Sequence, residues 1–285
     1  MDAHQVLKVM LSWLRAYVSY LAWYFRGRTE QGMGRVGVDD ISIYFNSYGV
    51  GEPVLMLHGG FAYAETWLGQ VLALAGDYRV ITPDSRGHGR TSLGERPITY
   101  RRLADDFIEF IEKLGLGPVH LVGWSDGGCA SIALALQRPD LVRSMVLIGT
   151  PYNTDNYTEE AKGLLRDFLD PESLELRFFK SIRWLLAHEP YSWRPFLERM
   201  TEMWLELPDF TLEDLNGIEA PTLVVACDRD EFLSLTDDPL QVFKDTAAAI
   251  PKGRIGVIRG GTHTVMLEKP HEINGLILRF LEEAG

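Results

Sequence analysis

The chain has 285 residues and 46% hydrophobic content, enough to bury the core of one large domain or of a domain with an insertion, which excludes a disordered protein. Its formal net charge of −12, with no cluster of Lys and Arg, argues against nucleic acid as a partner. The two cysteines, Cys129 and Cys227, lie in apolar segments and are expected to be buried thiols in a reducing compartment such as the cytoplasm.

The first 34 residues are predicted to form an apolar helix over residues 6–25 and a linker over residues 27–34. Arg15 in the middle of this helix disfavours a transmembrane span, because a central arginine costs about 2.5–3.5 kcal/mol. A helix that is apolar over most of its circumference needs a surface to lie against. We expect it to pair with a second protomer in a homo-oligomer. Packing on its own domain and peripheral contact with a membrane remain the alternatives.

The next part of the chain alternates strand and helix patterns. An antiparallel hairpin is predicted over residues 36–48, with its turn at Asp39 and Asp40. Residues 54–57 form a continuous apolar run, typical of a strand buried on both faces, and lead into the loop His58-Gly59-Gly60-Phe61. The elements predicted after this loop are a helix over 62–75, a strand over 79–81, a loop over 83–92 and a helix capped by Thr99.

Residues 119–138 are predicted to form a strand, a sharp turn and a helix in succession. The turn has the sequence Gly123-Trp124-Ser125-Asp126-Gly127-Gly128. A serine at such a turn takes a strained backbone conformation that projects its hydroxyl beyond the sheet edge, and the flanking glycines let the strand and the helix pass closely. Ser125 is therefore the predicted nucleophile. The backbone N–H of Asp126, at the start of the helix, is a predicted oxyanion donor.

Between residues 150 and 217 the strand pattern stops, and several helices rich in aromatic residues are predicted. An insertion of this composition after a strand suits a cap over an apolar site, although we expect about two-thirds of its aromatic residues to pack the insertion's own core. The aromatic candidates for substrate contact are Trp184 and Trp204 in this insertion and Trp124 beside the nucleophile.

Strand patterns return at residues 222–227 and 253–258, and a helix over residues 270–281 closes the chain. Strands that alternate with helices in this way imply an α/β fold with a mostly parallel sheet covered on both faces.

A serine nucleophile needs a base, and the base needs a third group that fixes its tautomer. His263 directly follows a late strand and is the predicted base, ahead of His271 on the last helix. Asp230 lies just beyond the preceding strand and is the predicted acid, ahead of Asp228. The order Ser125, Asp230, His263 is the one expected for this topology.

With these motifs in place, the chain resembles the α/β-hydrolase family over residues 35–281. The resemblance rests on motifs at residues 58–61, 83–92, 123–128, 221–230 and 260–270. It implies an eight-stranded, mostly parallel sheet flanked by helices and a second oxyanion amide from Gly60 or Phe61. Cys227 stands where the family pattern more often has glycine. Residues 35–150 and 217–285 are then the hydrolase core, and residues 151–216 are a helical cap.

The serine at position 125, where epoxide hydrolases and haloalkane dehalogenases of this fold carry aspartate, implies acyl transfer through an acyl-enzyme. The Gly-Trp-Ser-Asp-Gly-Gly run is similar to that of valacyclovir hydrolase-type enzymes, which implies that the carboxylate of Asp126 binds the amino group of an aminoacyl ester. The alternative is a carboxylate that caps the helix or binds backbone amides.

The expected function is a carboxylesterase that hydrolyses small, partly apolar esters, with neither cofactor nor metal. An enol-lactonase, a C–C hydrolase or a perhydrolase would use the same triad. A ligand receptor built on the same fold is the non-enzymatic alternative.

Overall fold

A computed structural model describes residues 31–167, 180, 192–233 and 238–285. The strands are β1 (Gln31–Val38), β2 (Ile41–Tyr48), β3 (Glu52–Leu57), β4 (Tyr78–Pro83), β5 (Val119–Trp124), β6 (Val142–Ile148), β7 (Thr222–Cys227) and β8 (Gly253–Ile258). They form one sheet in the order β1-β2-β4-β3-β5-β6-β7-β8. Strand β2 is antiparallel to both β1 and β4. The other six strands, β4, β3, β5, β6, β7 and β8 in sheet order, are parallel to one another. The predicted eight-stranded, mostly parallel sheet is confirmed.

Helices connect these strands and cover the sheet. They are α1 (Leu68–Leu74), α2 (Tyr100–Lys113), α3 (Asp126–Gln137), α4 (Glu159–Asp167), α5 (Trp193–Glu206), α6 (Leu212–Asn216), α7 (Gln241–Ala249), α8 (Val265–Glu268) and α9 (Pro270–Ala284). The predicted cap of α2 is confirmed, since the side chain of Thr99 accepts a hydrogen bond from the backbone N–H of Arg102 at 3.1 Å.

The central strands bury side chains on both faces of the sheet. In β3, Leu55 and Leu57 belong to one apolar cluster with residues of α2 and α3, while Val54 and Met56 belong to a second cluster with residues of α1 and α9. Successive strand residues point to opposite faces, so a continuous apolar run fills both layers. This accounts for the predicted apolar strand at residues 54–57.

The start of β1 differs from the prediction. Residues 31–34, assigned from the sequence to the linker, pair with β2 in a register that begins at Gln31 opposite Tyr48. Gly32 and Gly34 provide no side-chain alternation, so only the backbone pairing reveals this end of the strand. The predicted helix over residues 6–25 lies outside the described residues. Where the structure is described, no helix is both long and apolar enough to cross a membrane.

Helices α4, α5 and α6 lie between β6 and β7, where the insertion is predicted. The expectation that most aromatic residues pack a separate core of the insertion does not describe α5. Its Trp193, Phe196 and Trp204 belong to the same continuous apolar cluster as residues of α2 and α3. Helix α5 therefore packs directly on the hydrolase core.

The loop after β4 is held by a buried ion-pair network. The guanidinium of Arg86 is fully buried and forms two hydrogen bonds with the carboxylate of Asp106, at 2.7 and 2.8 Å, and one with Asp40 at 2.6 Å. Arginine provides five donors in a planar fork, which suits two carboxylates at once. The network links this loop to α2 and to the β1–β2 turn.

Parallel strands end at one edge of the sheet, and the predicted site residues follow those ends. Residues 58–61 follow β3, Ser125 follows β5, Asp230 lies beyond β7 and His263 lies beyond β8. The topology thus brings distant parts of the sequence to one side of the molecule, where ligands bind in open parallel sheets.

Candidate active site

Ser125 occupies a sharp turn between β5 and α3. Its backbone has φ 52° and ψ −118°, a conformation that residues with a Cβ rarely adopt. The turn is closed by the carbonyl oxygen of Ser125, which accepts hydrogen bonds from the N–H groups of Gly128 at 2.8 Å and Cys129 at 3.0 Å. Helix α3 begins at the next residue, so its first N–H groups lie beside the serine.

The glycines around Ser125 are required by close backbone approach. A Cβ on Gly123 would lie 2.5 Å from the carbonyl oxygen of Gly127, and a Cβ on Gly127 would lie 2.1 Å from that of Leu57. A Cβ on Gly128 would lie 1.9 Å from the hydroxyl of Thr150. No side chain fits at these three positions, which is the physical content of the motif seen in the sequence.

His263 and Asp230 form a buried pair. The Nδ1 atom of the imidazole lies 3.0 and 3.2 Å from the two carboxylate oxygens of Asp230. Asp230 is 0% exposed and His263 8%. The Asp230 carboxylate also accepts from the backbone N–H groups of Phe232 and Leu233, which fix its orientation. Binding of Nδ1 to the carboxylate leaves Nε2 as the nitrogen that can exchange a proton.

The backbone of His263 is held on both sides. The indole N–H of Trp124 donates to its carbonyl oxygen at 2.8 Å, and its own N–H donates to the carboxylate of Glu231 at 3.0 Å. The Trp124 and His263 ring centroids are 5.8 Å apart, so the residue that precedes Ser125 contacts the imidazole. Burial lowers the pKa of His263, but the negative charges of Asp230, Glu231 and Asp126 outweigh burial and raise it above its usual value.

The two weaker sequence candidates have other surroundings. The carboxylate of Asp228 accepts the backbone N–H of Gly260 and so braces the loop that leads to His263. His271 is exposed on the first turn of α9.

The loop Gly59-Gly60-Phe61 packs closely against the elbow. A Cβ on Gly59 would lie 3.1 Å from the Cβ of Ser125, and one on Gly60 would lie 2.8 Å from a carboxylate oxygen of Asp126. Phe61 has φ 57°, in the left-handed region. The structure therefore brings this loop against the elbow, with Gly59 beside Ser125 and Gly60, which precedes Phe61, beside Asp126.

The carboxylate of Asp126 is buried, with 6% of the residue exposed. It accepts hydrogen bonds from the Tyr100 hydroxyl at 2.8 Å and from the Trp204 indole N–H at 2.9 and 3.0 Å. Burial raises the pKa of Asp126, and these hydrogen bonds and the nearby His263 oppose the rise. Both oxygens thus accept from side chains of the protein, Tyr100 and Trp204, whereas the alternative expected a helix cap or bonds to backbone amides.

The structure describes two of the three aromatic candidates for substrate contact, Trp124 and Trp204. The indole N–H groups of Trp124 and Trp204 are already donated to His263 and Asp126, so a substrate would meet these side chains through their rings. Trp184 lies outside the described residues.

Sequence reasoning missed several groups around the site. The sequence shows Glu231 as a third carboxylate next to Asp230, but it does not predict the hydrogen bond between Glu231 and the backbone N–H of His263. Phe232, whose ring centroid lies 4.6 Å from that of His263, and Tyr100 carry no local sequence signal. Over the ranges the structure describes, no cluster of three or more His, Cys, Asp or Glu side chains has a metal-binding arrangement.

Comparison with known proteins agrees with this architecture. The model of the alpha/beta hydrolase family matches residues 54–276. A relative from Acinetobacter baylyi, (E)-2-((N-methylformamido)methylene)succinate hydrolase, is 29% identical over 84% of this chain and 93% of its own length. A solved serine hydrolase involved in carbazole degradation superposes with a TM-score of 0.72 at 25% identity, covering 89% of this chain and 100% of its own. A thermophilic esterase from Thermogutta terrifontis has a TM-score of 0.68 at 24% identity, covering 89% and 99%.

Proposed function

The chain belongs to the alpha/beta hydrolase family, and on that basis we propose that it is a serine carboxylesterase that hydrolyses small neutral esters through an acyl-enzyme on Ser125. The observation that carries the proposal is the pairing of His263 Nδ1 with buried Asp230, together with a serine held at φ 52° at the same edge of the sheet. A histidine oriented by a carboxylate and a serine on a strained turn are what nucleophilic acyl transfer needs.

In the proposed reaction, the Ser125 Oγ attacks the ester carbonyl carbon while His263 Nε2 accepts the hydroxyl proton. The carbonyl oxygen becomes an oxyanion, which the backbone N–H groups of Asp126 and of Gly60 or Phe61 stabilise. The imidazolium then returns its proton to the departing alcohol, and the acyl group stays on Ser125. A water molecule, activated by the same imidazole, releases the carboxylic acid and restores the serine.

A neutral substrate suits the charges near the site. Asp126, Asp230 and Glu231 place three carboxylates near His263, and each contributes to the potential that an entering substrate meets. The half-buried ring of Phe61, packed against rings of α5, provides an apolar side chain next to the predicted oxyanion residues. Both features favour an uncharged acyl group over an anionic one.

The second candidate substrate is a small carboxylate that bears an N-methylformamido group, like the one named for the A. baylyi relative at 29% identity. The carbonyl carbon of the formamido group would be attacked by Ser125 in the same way as an ester carbonyl. The two candidates are separated by comparing kcat/KM for neutral p-nitrophenyl esters of rising acyl length with kcat/KM for that compound. A higher kcat/KM for the N-methylformamido compound than for the neutral esters would favour the second candidate.

The test of the mechanism is Ser125→Ala assayed on a short-chain p-nitrophenyl ester. We expect kcat to fall by about 10⁵-fold or more, and a fluorophosphonate probe to label Ser125 in the native protein and nothing in the variant. Ser47→Ala is the matched control, because Ser47 lies on β2 and accepts only a 3.3 Å hydrogen bond from Arg79 among the contacts described for its side chain. Turnover retained in Ser125→Ala would refute the nucleophile. A native protein with no turnover at all would favour the receptor alternative.

We also propose a cytoplasmic location and a homo-oligomer formed through residues 1–30, with a small-molecule substrate and no nucleic acid partner. The location is supported by two buried free thiols, Cys129 and Cys227. The oligomer is tested by sedimentation of the full chain and of a chain lacking residues 1–30. Identical sedimentation coefficients, corrected for mass, would contradict it.

A further inference from the structure

One cap side chain, Trp204 on α5, contacts every residue predicted to form the oxyanion hole. Its indole N–H donates to Asp126 at 2.9 Å, and its ring centroid lies 5.0 Å from that of Phe61 with an interplanar angle of 87°. A Cβ on Gly60 would lie 2.4 Å from its Cζ2 atom. The two amides of the predicted hole come from separate loops, and Trp204 bridges them.

The Asp126 end of this bridge is anchored in the hydrolase core. The Tyr100 hydroxyl, on α2, donates to the same carboxylate at 2.8 Å, and Tyr100 is itself buried. The carboxylate therefore joins the cap helix α5 to the core helix α2. Because Asp126 is the first residue of α3, holding its side chain also restrains its backbone N–H.

The Phe61 end carries backbone strain. A residue other than glycine at φ 57° costs about 1–3 kcal/mol and persists only when its surroundings determine the conformation. Three rings of α5 pack against the Phe61 ring, with centroid distances of 6.0, 6.0 and 5.0 Å for Trp193, Phe196 and Trp204. Helix α5 thus contributes to holding Phe61 in this conformation.

We propose that Trp204 is a positioning residue of the oxyanion hole, and that its hydrogen bond to Asp126 and its packing on Gly60 and Phe61 set the separation of the two donor amides. The cap helix α5 is then part of the catalytic machinery as well as a wall of the substrate site. This inference rests on the proposed serine hydrolase function.

The test is Trp204→Phe, which keeps an aromatic ring and removes the N–H donor. Misplacing an oxyanion donor weakens binding of the transition state more than binding of the substrate. We therefore expect kcat on a p-nitrophenyl ester to fall by about 10- to 100-fold with KM within about threefold. The inhibition constant of a trifluoromethyl ketone, whose adduct with Ser125 places an oxyanion in the hole, should rise by the same factor as kcat falls.

Trp67→Phe is the matched control. Trp67 is fully buried in the apolar cluster of α1 and α9, away from α5, and its indole N–H has no acceptor in the described part of the chain. This variant should keep kcat and the inhibition constant within about twofold of the native values, since no hydrogen bond is lost. An equal loss in both variants would mean that replacing any buried tryptophan by phenylalanine lowers kcat, and would overturn the proposal.

Tyr100→Phe keeps the proposal testable if Trp204→Phe does not fold. It removes one hydroxyl and leaves Asp126 held by Trp204 alone, so a smaller parallel change in kcat and in ketone inhibition is expected. Native turnover that disappears in Ser125→Ala establishes the serine mechanism independently. With that result in place, unchanged ketone inhibition in Trp204→Phe, or in Tyr100→Phe if the first variant is unfolded, overturns this inference alone.

Discussion

Glu231 offers the sharpest test of how the site tunes its base. Its exposed carboxylate accepts the backbone N–H of His263 at 3.0 Å and, with Asp230 and Asp126, raises the pKa of the imidazole. Glu231→Gln keeps an oxygen acceptor for that N–H and removes one negative charge. The charged imidazolium loses a favourable interaction, so the pKa of His263 must fall.

The size of the effect follows from Coulomb's law. For two unit charges about 6 Å apart, at an effective dielectric constant of about 40–80 for an exposed group, the interaction is about 0.7–1.4 kcal/mol, which is about three- to tenfold in the protonation equilibrium. Only the neutral imidazole can act as a base, so the acidic limb of the kcat/KM profile follows the pKa of His263 and should move to lower pH. On that limb kcat/KM should rise by about the same three- to tenfold.

The assay is kcat/KM on a neutral ester across the acidic limb, at low and at high salt. High salt should reduce the difference between native protein and variant, because Glu231 is exposed and its charge is screened. Glu272→Gln is the matched control, an equal change of charge at an exposed position of α9, and it should leave the limb in place. A limb that stays fixed in Glu231→Gln at low salt, or moves to higher pH, would refute the reasoning.

Two further predictions concern packing. Gly60→Ala would bring a Cβ to 2.4 Å from Trp204, so kcat should fall by about 100-fold. Gly76→Ala, where nothing lies within 4 Å of the added atom, should not change kcat, and similar kcat values for the two variants would count against the close contact. Arg86→Met would leave Asp106 buried without its partner, and urea denaturation should report a loss of about 3–5 kcal/mol in the free energy of unfolding. A loss below about 1 kcal/mol would mean that this ion pair contributes little.

The triad candidates could be predicted because each carries a local signal. Ser125 sits in a glycine pattern that only a close strand-to-helix turn requires, and Asp230 and His263 directly follow apolar runs that read as buried parallel strands. Parallel strands end at one edge, so the order of these runs along the chain was enough to predict that the three residues lie at that edge. The oxyanion role of the loop at residues 58–61, in contrast, was implied only by the resemblance to the family.

The contacts of Asp126 could not be predicted in this way. Its partners Tyr100 and Trp204 lie 26 and 78 positions away in the sequence, and neither follows a strand of the sheet. Their meeting depends on how α5 packs over the core, and periodicity within one segment does not fix the packing between segments. The sequence marked Trp204 as a lid residue, yet the hydrogen bond of its indole N–H emerges only from the tertiary structure.

A carboxylate beside an oxyanion hole requires an explanation, because its charge opposes the charge that develops on the substrate. During attack on the ester, however, two charges form together, the oxyanion and the imidazolium of His263. Asp126 repels the first and attracts the second, so the two effects oppose each other. The positioning effect of its hydrogen bonds to α2 and α5 has no such opposing effect. An asparagine amide would place an N–H2 group where one oxygen now accepts the Trp204 indole N–H, so only a carboxylate serves both donors without a clash between hydrogens.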